Sequence, residues 1–331
     1  MSLLSLLKFI TDHPLNRKNK IKAVSRFAKW QINTRLNPYP VVYSYTDKTK
    51  LIIQRSMTGA TGNLYCGLHE FNDMGFLLHF LRKDDLFVDI GANIGSYTVL
   101  AGGHVGATVV SVEPVPQTFE HLKRNIAING INNNVVVYNL ALGNEKGQLS
   151  FTSTLDTMNH VATASEVNTI QVPVDTLDTI LEKEKEPVLL KIDVEGFETD
   201  VLNGASSTLQ KNNLKAIIIE LNGSGLKYGY DETQLHEKLL ANGYYPHQYN
   251  PFERKLTAID KFGTHNTIYI KDPGFVQERL RKAEKLKILD SWIKEIFILY
   301  PLFKSSASAT LVHNFTIYYI KSLYDHGQTQ P

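Results

Sequence analysis

Three acids stand at the ends of largely apolar runs in this chain of 331 residues: Glu113 after Thr108–Val112, Asp193 in Pro187–Val194, and Glu220 in Lys215–Leu221. Short apolar runs of this length read as buried parallel strands. Ligands of open parallel sheets sit outside the carboxyl ends of the strands, so an acid at that point faces a cleft. A carboxylate there can accept a proton from a reacting hydroxyl or hold a ribose. Glu195 follows two residues after Asp193, and His160 lies in a polar stretch, residues 153–168. Each has a plainer reading. Asp193 can cap a helix opening at Glu195, Glu195 can favour a helix start, and His160 can be a solvated loop residue.

These acids need a partner element, and the stretch Leu86–Thr98 supplies it. Leu86–Ile90 is an apolar run broken only by Asp89, and it feeds Gly91, Asn93 and Gly95. A strand, a glycine turn and a helix start form a place for a nucleotide-like ligand. Glycines admit the backbone closely, and the helix end offers free N–H groups. The spacing Asp-x-Gly-x-Asn-x-Gly differs from the dinucleotide fingerprint, because Asn93 stands where the second glycine belongs; this disfavours a nicotinamide dehydrogenase. Glu113, at the tip of the next strand, is placed to grip ribose hydroxyls. Asn139–Leu142 lies at the tip of the third strand, within reach of a base.

Strands alternate with helices from residue 85 to about 272, which predicts an α/β fold with a doubly wound, mostly parallel, seven-stranded sheet whose late strands are antiparallel. Residues 1–60 read as a helical and β extension, 61–272 as the main domain, and 273–331 as a C-terminal helical segment. Two N-terminal helices split near His13-Pro14, with Ile21, Val24, Phe27, Ala28 and Ile32 on a face expected to pack inward. Met57–Gly62 reads as a flexible loop, and Val276–Ile298 as one charged helix. Thr310–Tyr324 is an aromatic-rich segment.

Composition narrows the field. Apolar residues make up 43% of the chain, enough for a large core, and the net charge of +2 gives no argument for nucleic acid. The single cysteine, Cys66, rules out an intrachain disulfide or a cysteine-rich metal cluster and suits a cytoplasmic location. No apolar run reaches the ~20 residues of a membrane span. Peripheral membrane contact and a homodimer through the terminal helices are the further partners that the end segments allow.

Several motifs fall in one order: Val88–Tyr97, Val112-Glu-Pro114, Asn139–Gly143, Val172–Asp178, Leu190-Lys-Ile-Asp-Val-Glu-Gly-Phe-Glu198 and Ile217–Leu221. Over about residues 60–272 the chain resembles the FkbM family of class I methyltransferases. The resemblance implies a Rossmann-like fold, S-adenosylmethionine as methyl donor, and O-methylation of a hydroxyl or carboxyl on a small molecule, glycan or peptide. It puts Asp89, Gly91, Asn93 and Gly95 around the methionine part of the cofactor. Glu113 falls on the ribose, and Ala141 and Leu142 fall near the adenine. Asp193 and Glu195 fall at the substrate end.

Methyl transfer to oxygen needs alignment of the acceptor and removal of its proton. Two routes fit. Asp193 or His160 takes the proton directly, or Asp193, Glu195 and Glu220 hold a divalent cation such as Mg that acidifies the hydroxyl. The competing readings are an N-methyltransferase and a non-catalytic S-adenosylmethionine-binding scaffold. Retention of all three acids argues against the scaffold.

Overall fold

The computed structural model describes residues 2–55, 57–152, 159–163, 166, 168–263, 265–286 and 288–289, and the backbone of 297–298. Contacts gather residues 1–297 into one unit and 298–331 into another. The aromatic segment 310–324 and most of the polar stretch 153–168 lie outside the described residues.

Helices α1 (Leu3–Asp12) and α2 (Lys20–Leu36) are followed by an antiparallel pair, β1 (Val41–Ser44) and β2 (Lys50–Ile53), and by helices α3 (Thr58–Cys66) and α4 (Phe71–Phe80). The main domain then runs through β3 (Leu86–Ile90), α5 (Ser96–Val99, continued by a π-helical turn to Val105), β4 (Thr108–Val112), α6 (Pro116–Ile128) and β5 (Val135–Tyr138). Strands β6 (Ala141–Leu142), β7 (Gly147–Thr152) and β8 (Thr169–Asp175) make a small separate sheet. After α7 (Leu177–Ile180) come β9 (Leu189–Ile192), α8 (Glu198–Asn203), α9 (Ser206–Gln210) and β10 (Ala216–Glu220). The series closes with α10 (Glu232–Ala241), β11 (Tyr245–Asn250), β12 (Lys255–Ala258), β13 (Asn266–Ile270) and α11 (Pro273–Lys282).

The central sheet has the order β12-β11-β13-β10-β9-β3-β4-β5. Strands β5, β4, β3, β9 and β10 are parallel, and β13 runs antiparallel between β10 and β11. The seven strands expected are all present. An eighth, β12, extends the edge as a hairpin with β11. Alternation along the strands divides the core. Leu86, Val88 and Ile90 pack into one buried cluster, and Phe87 packs into the other. Helices therefore cover both faces. On the Phe87 face a polar row crosses the sheet, because Ser111, Asp89 and Lys191 are register neighbours on β4, β3 and β9.

Strand order reverses between β3 and β9. The chain leaves β3 for β4 and β5 on one side and returns to β9 and β10 on the other. The crevice outside such a switch point is where ligands bind.

Three expectations change. Residues 58–66 form helix α3 rather than a loop, with Gly62 packed against the His69 ring. Helix α11 ends at Lys282, and residues 283–286 are not helical, so a single helix from 276 to 298 does not form. Of the α2 face expected to pack inward, only Phe27 packs on the core, while the rest turns to solvent: Ile21 is 85% exposed and Ile32 59%. The buried face carries Ala23, Arg26 and Trp30 instead. Periodicity marks an apolar stripe without saying which side of the helix the fold covers. Here Arg26 decides it. Its Nε and one terminal nitrogen donate to the Tyr65 carbonyl oxygen at 3.3 and 2.8 Å, and the guanidinium also bonds the Asn16 side chain.

Candidate active site

The loop after β3 is built from left-handed residues. Gly91, Asn93 and Gly95 have φ of 76°, 51° and 89°. Asparagine is among the few side chains that tolerate this region, which is why it can stand between two glycines. Its Oδ1 accepts the Ile94 N–H at 2.8 Å. Gly91 is required by space as well, since a β-carbon there would overlap the carbonyl oxygen of Asp193. At Gly95 a β-carbon would fall 2.5 Å from Leu122 Cδ1. The buried Asp89 accepts the Thr98 hydroxyl at 2.7 Å and so ties the strand end to the first helical turn. Burial raises its pKa.

Glu113 is buried, and each of its oxygens accepts one backbone N–H: Oε2 from Asn93 and Oε1 from Val115, both at 2.9 Å. The carboxylate thus joins the loop after β3 to the loop after β4. Each oxygen keeps a second lone pair for a ligand hydroxyl. Burial pushes its pKa up to about 7.

The loop after β9 carries the acids. Glu195 has a left-handed φ of 56° and stands outside the following helix, which opens at Glu198. Gly196 follows with φ 103°, where a β-carbon would fall 2.6 Å from Ser224 O. Such strain persists only where the surroundings impose it, and it concentrates at functional sites. The buried Glu198 holds the loop: its Oε1 accepts the N–H groups of Val194 and Gly196 at 3.1 Å. Asp193 does not cap this helix, whose N-cap residue is Phe197. Asp193 pairs with Lys191 instead, Nζ to Oδ2 at 2.7 Å.

Asp193, Glu195 and Glu220 each place a carboxylate oxygen within 4.8 Å of the others. Burial and the neighbouring Asp193 and Glu195 push Glu220 up to about 8. Burial, then Asp193, raises Glu195. Burial opposes the charge of Lys191, but Asp193, Glu70 and Asp89 outweigh it and hold the ammonium charged, its pKa raised. The Lys191 ammonium also lies 4.8 Å from the centre of the Tyr97 ring.

One cavity of about 690 Å3 joins these parts. Asp89, Gly91, Asn93, Glu113, Ala141 and Leu142 line it, and so do Asp193, Glu195 and Glu220. Gly95 is not on its wall. His160 is not on it either; its neighbour Asn159 is, while His160 Nε2 sits 2.9 Å from Glu166 Oε1. Lys191 and Tyr97 are wall residues that carried no assigned role in the sequence reading, and Glu70 lies on the wall with them. Lys191 had a readable signal: a lysine inside an otherwise apolar parallel strand has to face a partner. Glu70 accepts the Asn266 amide at 2.8 Å. The buried Tyr97 hydroxyl makes no well-formed hydrogen bond among the described residues, with the Glu70 carboxylate near it.

The parallel sheet with one late antiparallel strand, the left-handed loop at its switch point and the acid ending the next strand define a Rossmann-like class I methyltransferase fold. Residues 89–246 match the model of the methyltransferase FkbM domain. The match spans just under half of the chain. Hexuronic acid methyltransferase AglP of Haloferax volcanii is 29% identical over 147 residues, 44% of this chain and 59% of that protein. Methyltransferase 1 of Beauveria bassiana is 29% identical over 180 residues, covering 47% of this chain and 72% of its own. A crystal structure of methyltransferase FkbM from Methylobacillus flagellatus KT aligns at 18% identity and a TM-score of 0.42, covering 63% of this chain and 52% of that one. The chain thus spans less than two thirds of the first of these relatives.

Proposed function

We propose that this chain is an S-adenosylmethionine-dependent O-methyltransferase whose acceptor is a hydroxyl of a sugar or a similarly polyhydroxylated compound. The observation that carries this reading is the convergence of Asp193, Glu195 and Glu220 within 4.8 Å at the wall of a cavity that Glu113 and residues 91–94 also line. The relative named for a hexuronic acid supports a sugar-class acceptor. The acid-rich lining narrows this to hydroxyls, which donate to carboxylates, rather than to an acceptor carboxylate, which they would repel.

The residues fit the methyl donor, which when bound supplies an electrophilic methyl group on a positively charged sulfur. Glu113 accepts the ribose hydroxyls. The Gly91–Gly95 loop wraps the methionine part, and Ala141 and Leu142 flank the adenine. The lining carboxylates favour a sulfonium cation over a neutral or anionic ligand. Asp193 and Glu220 orient the acceptor hydroxyl and take its proton as the methyl group arrives. A base with a pKa near 8, as at Glu220, is better matched to this task than an ordinary carboxylate. Lys191 fixes Asp193 and limits the repulsion among the acids. His160 is bonded to Glu166 off the cavity wall and takes no part in this step.

The donor set also fits a hard divalent cation, since three carboxylate oxygens lie close enough to share one ion. Asp193, Glu195 and Glu220 would hold it, and it would lower the pKa of a bound hydroxyl. Titration calorimetry with S-adenosylhomocysteine, followed by mass detection of methyl transfer to a panel of sugars, tests the proposal. Micromolar binding and a one-methyl mass gain are expected. Absence of binding refutes the donor, and transfer only to amines refutes the acceptor class.

A further inference from the structure

Helix α2 carries an apolar stripe that nothing among the described residues covers. Ile21, Val24, Ala28, Ile32 and Leu36 recur every three or four residues and so share one face. All five are exposed, Ile21 at 85% and Leu36 at 80%. The opposite face is fully committed to the fold through Ala23, Arg26 and Trp30. Helix α1 adds Leu3 and Leu4, both exposed. An exposed patch of this extent marks an interaction surface rather than ordinary surface scatter.

Charge identifies the occupant. Residues 2–36 hold eight Lys or Arg against a single acid, Asp12, although the whole chain carries only +2. The remainder is therefore net acidic, and the positive charge is concentrated on the helical pair. Lys20 and Lys22 lie on opposite flanks of the stripe, and Lys29 and Arg35 continue along it. An apolar stripe edged by Lys and Arg is the pattern of a helix that lies in the plane of a bilayer, its apolar side chains below the headgroups and its basic ones among them.

We propose that the outer face of α2, with the exposed start of α1, is a docking surface for an anionic lipid bilayer. A second copy of this chain would bring two strongly basic faces together. Residues 299–331 carry Lys304 and Lys321 against Asp325, a net positive charge that does not complement the face. The bilayer alone satisfies both the apolar and the electrostatic character. Docking there also gives the cavity an orientation, because Leu6 and Phe9 of α1 belong to its wall. The cavity would then open beside the lipid surface. None of this depends on the chemistry proposed above.

Sedimentation of the full-length protein with vesicles tests the proposal. One set is phosphatidylcholine doped with phosphatidylglycerol, and the other is phosphatidylcholine alone. Binding to the anionic set is expected, weakening as salt is raised. Ile21→Asp and Ile32→Asp should each weaken it about tenfold by removing an inserted side chain. Lys18→Glu with Lys20→Glu should weaken it at least as much. These positions are exposed, so the thermal midpoint should stay unchanged, and that measurement separates lost docking from lost folding. No binding, equal binding to both vesicle types, or binding indifferent to the Asp variants overturns the proposal. So does a dimer in sedimentation velocity that the Asp variants dissociate, because the face would then belong to a second copy.

Discussion

The α-carbon of Gly91 lies against the backbone carbonyl of Asp193, so closely that a β-carbon at 91 would overlap that oxygen. The loop after β3 and the loop after β9 are thus packed backbone to backbone. Gly91→Ala combines this overlap with a left-handed φ of 76°. The conformation alone costs about 1–2 kcal/mol, and the overlap adds to it. Thermal denaturation should show a lower midpoint. S-adenosylhomocysteine affinity and turnover should fall together, since both loops must move. A variant with wild-type stability would mean that the loops separate freely.

Lys191 is the cation of a buried acid cluster, with its ammonium 2.7 Å from Asp193. Replacing it with Met leaves Asp193, Asp89 and Glu70 without their countercharge. Removing one partner of a buried pair costs about 3–5 kcal/mol. The part-exposed Asp193 puts the expectation near about 3 kcal/mol in chemical denaturation. A loss below about 1 kcal/mol, the range of a surface pair, would show that water already screens the site.

If Glu113 holds the ribose as proposed, cofactor binding should depend on pH. Burial raises its pKa to about 7, so the free protein holds the carboxyl protonated in mildly acid solution. A ribose hydroxyl donates best to the ionised form. Affinity for S-adenosylhomocysteine should rise as pH climbs through about 7, read by calorimetry. Glu113→Gln should flatten that profile and weaken binding by about 1.5–3 kcal/mol. The unliganded fold responds in the opposite sense. A carboxyl whose folded pKa lies above its unfolded value near 4.5 contributes stability that is lost as pH rises through about 7.

Asp193→Asn separates chemistry from cofactor binding. It keeps the shape of the side chain and removes the base. Turnover should fall by about 100-fold or more, the scale of general-base catalysis, while S-adenosylhomocysteine affinity changes little. Equal losses in both would mean that Asp193 serves the cofactor instead.

Metal removal distinguishes the two routes at the acid cluster. If a divalent ion is held by Asp193, Glu195 and Glu220, EDTA should abolish turnover and Mg should restore it. An unchanged rate leaves the carboxylates as direct bases.

Much of the site was legible because its residues announce themselves by position. An acid ending an apolar run has few places to go in a parallel sheet, so Glu113, Asp193 and Glu220 were readable one by one. The grouping of Asp193, Glu195 and Glu220 was read as well, and the structure adds its basis, the pairing of β9 with β10. Lys191 was visible in the same motif as Asp193, but its role rests on register with Asp89 across strands. Helix α3 was misread because two glycines and two threonines in five residues resemble a loop. The fold uses Gly62 for close approach to His69 instead. The orientation of α2 was hidden for a different reason: a buried arginine, not an apolar stripe, sets which face turns inward.

That arginine has a mechanical corollary. The Tyr65 carbonyl oxygen receives Arg26 Nε, an Arg26 terminal nitrogen and Asn16 Nδ2, the last at 3.1 Å. It stands near the end of α3, whose residues Gly59–Asn63 form part of the cavity wall. A push or pull on the outer face of α2 is therefore delivered to the cavity wall through one residue, Tyr65, which α2 grips at its carbonyl by Arg26, at its hydroxyl by Gln31 and at its ring by Phe27.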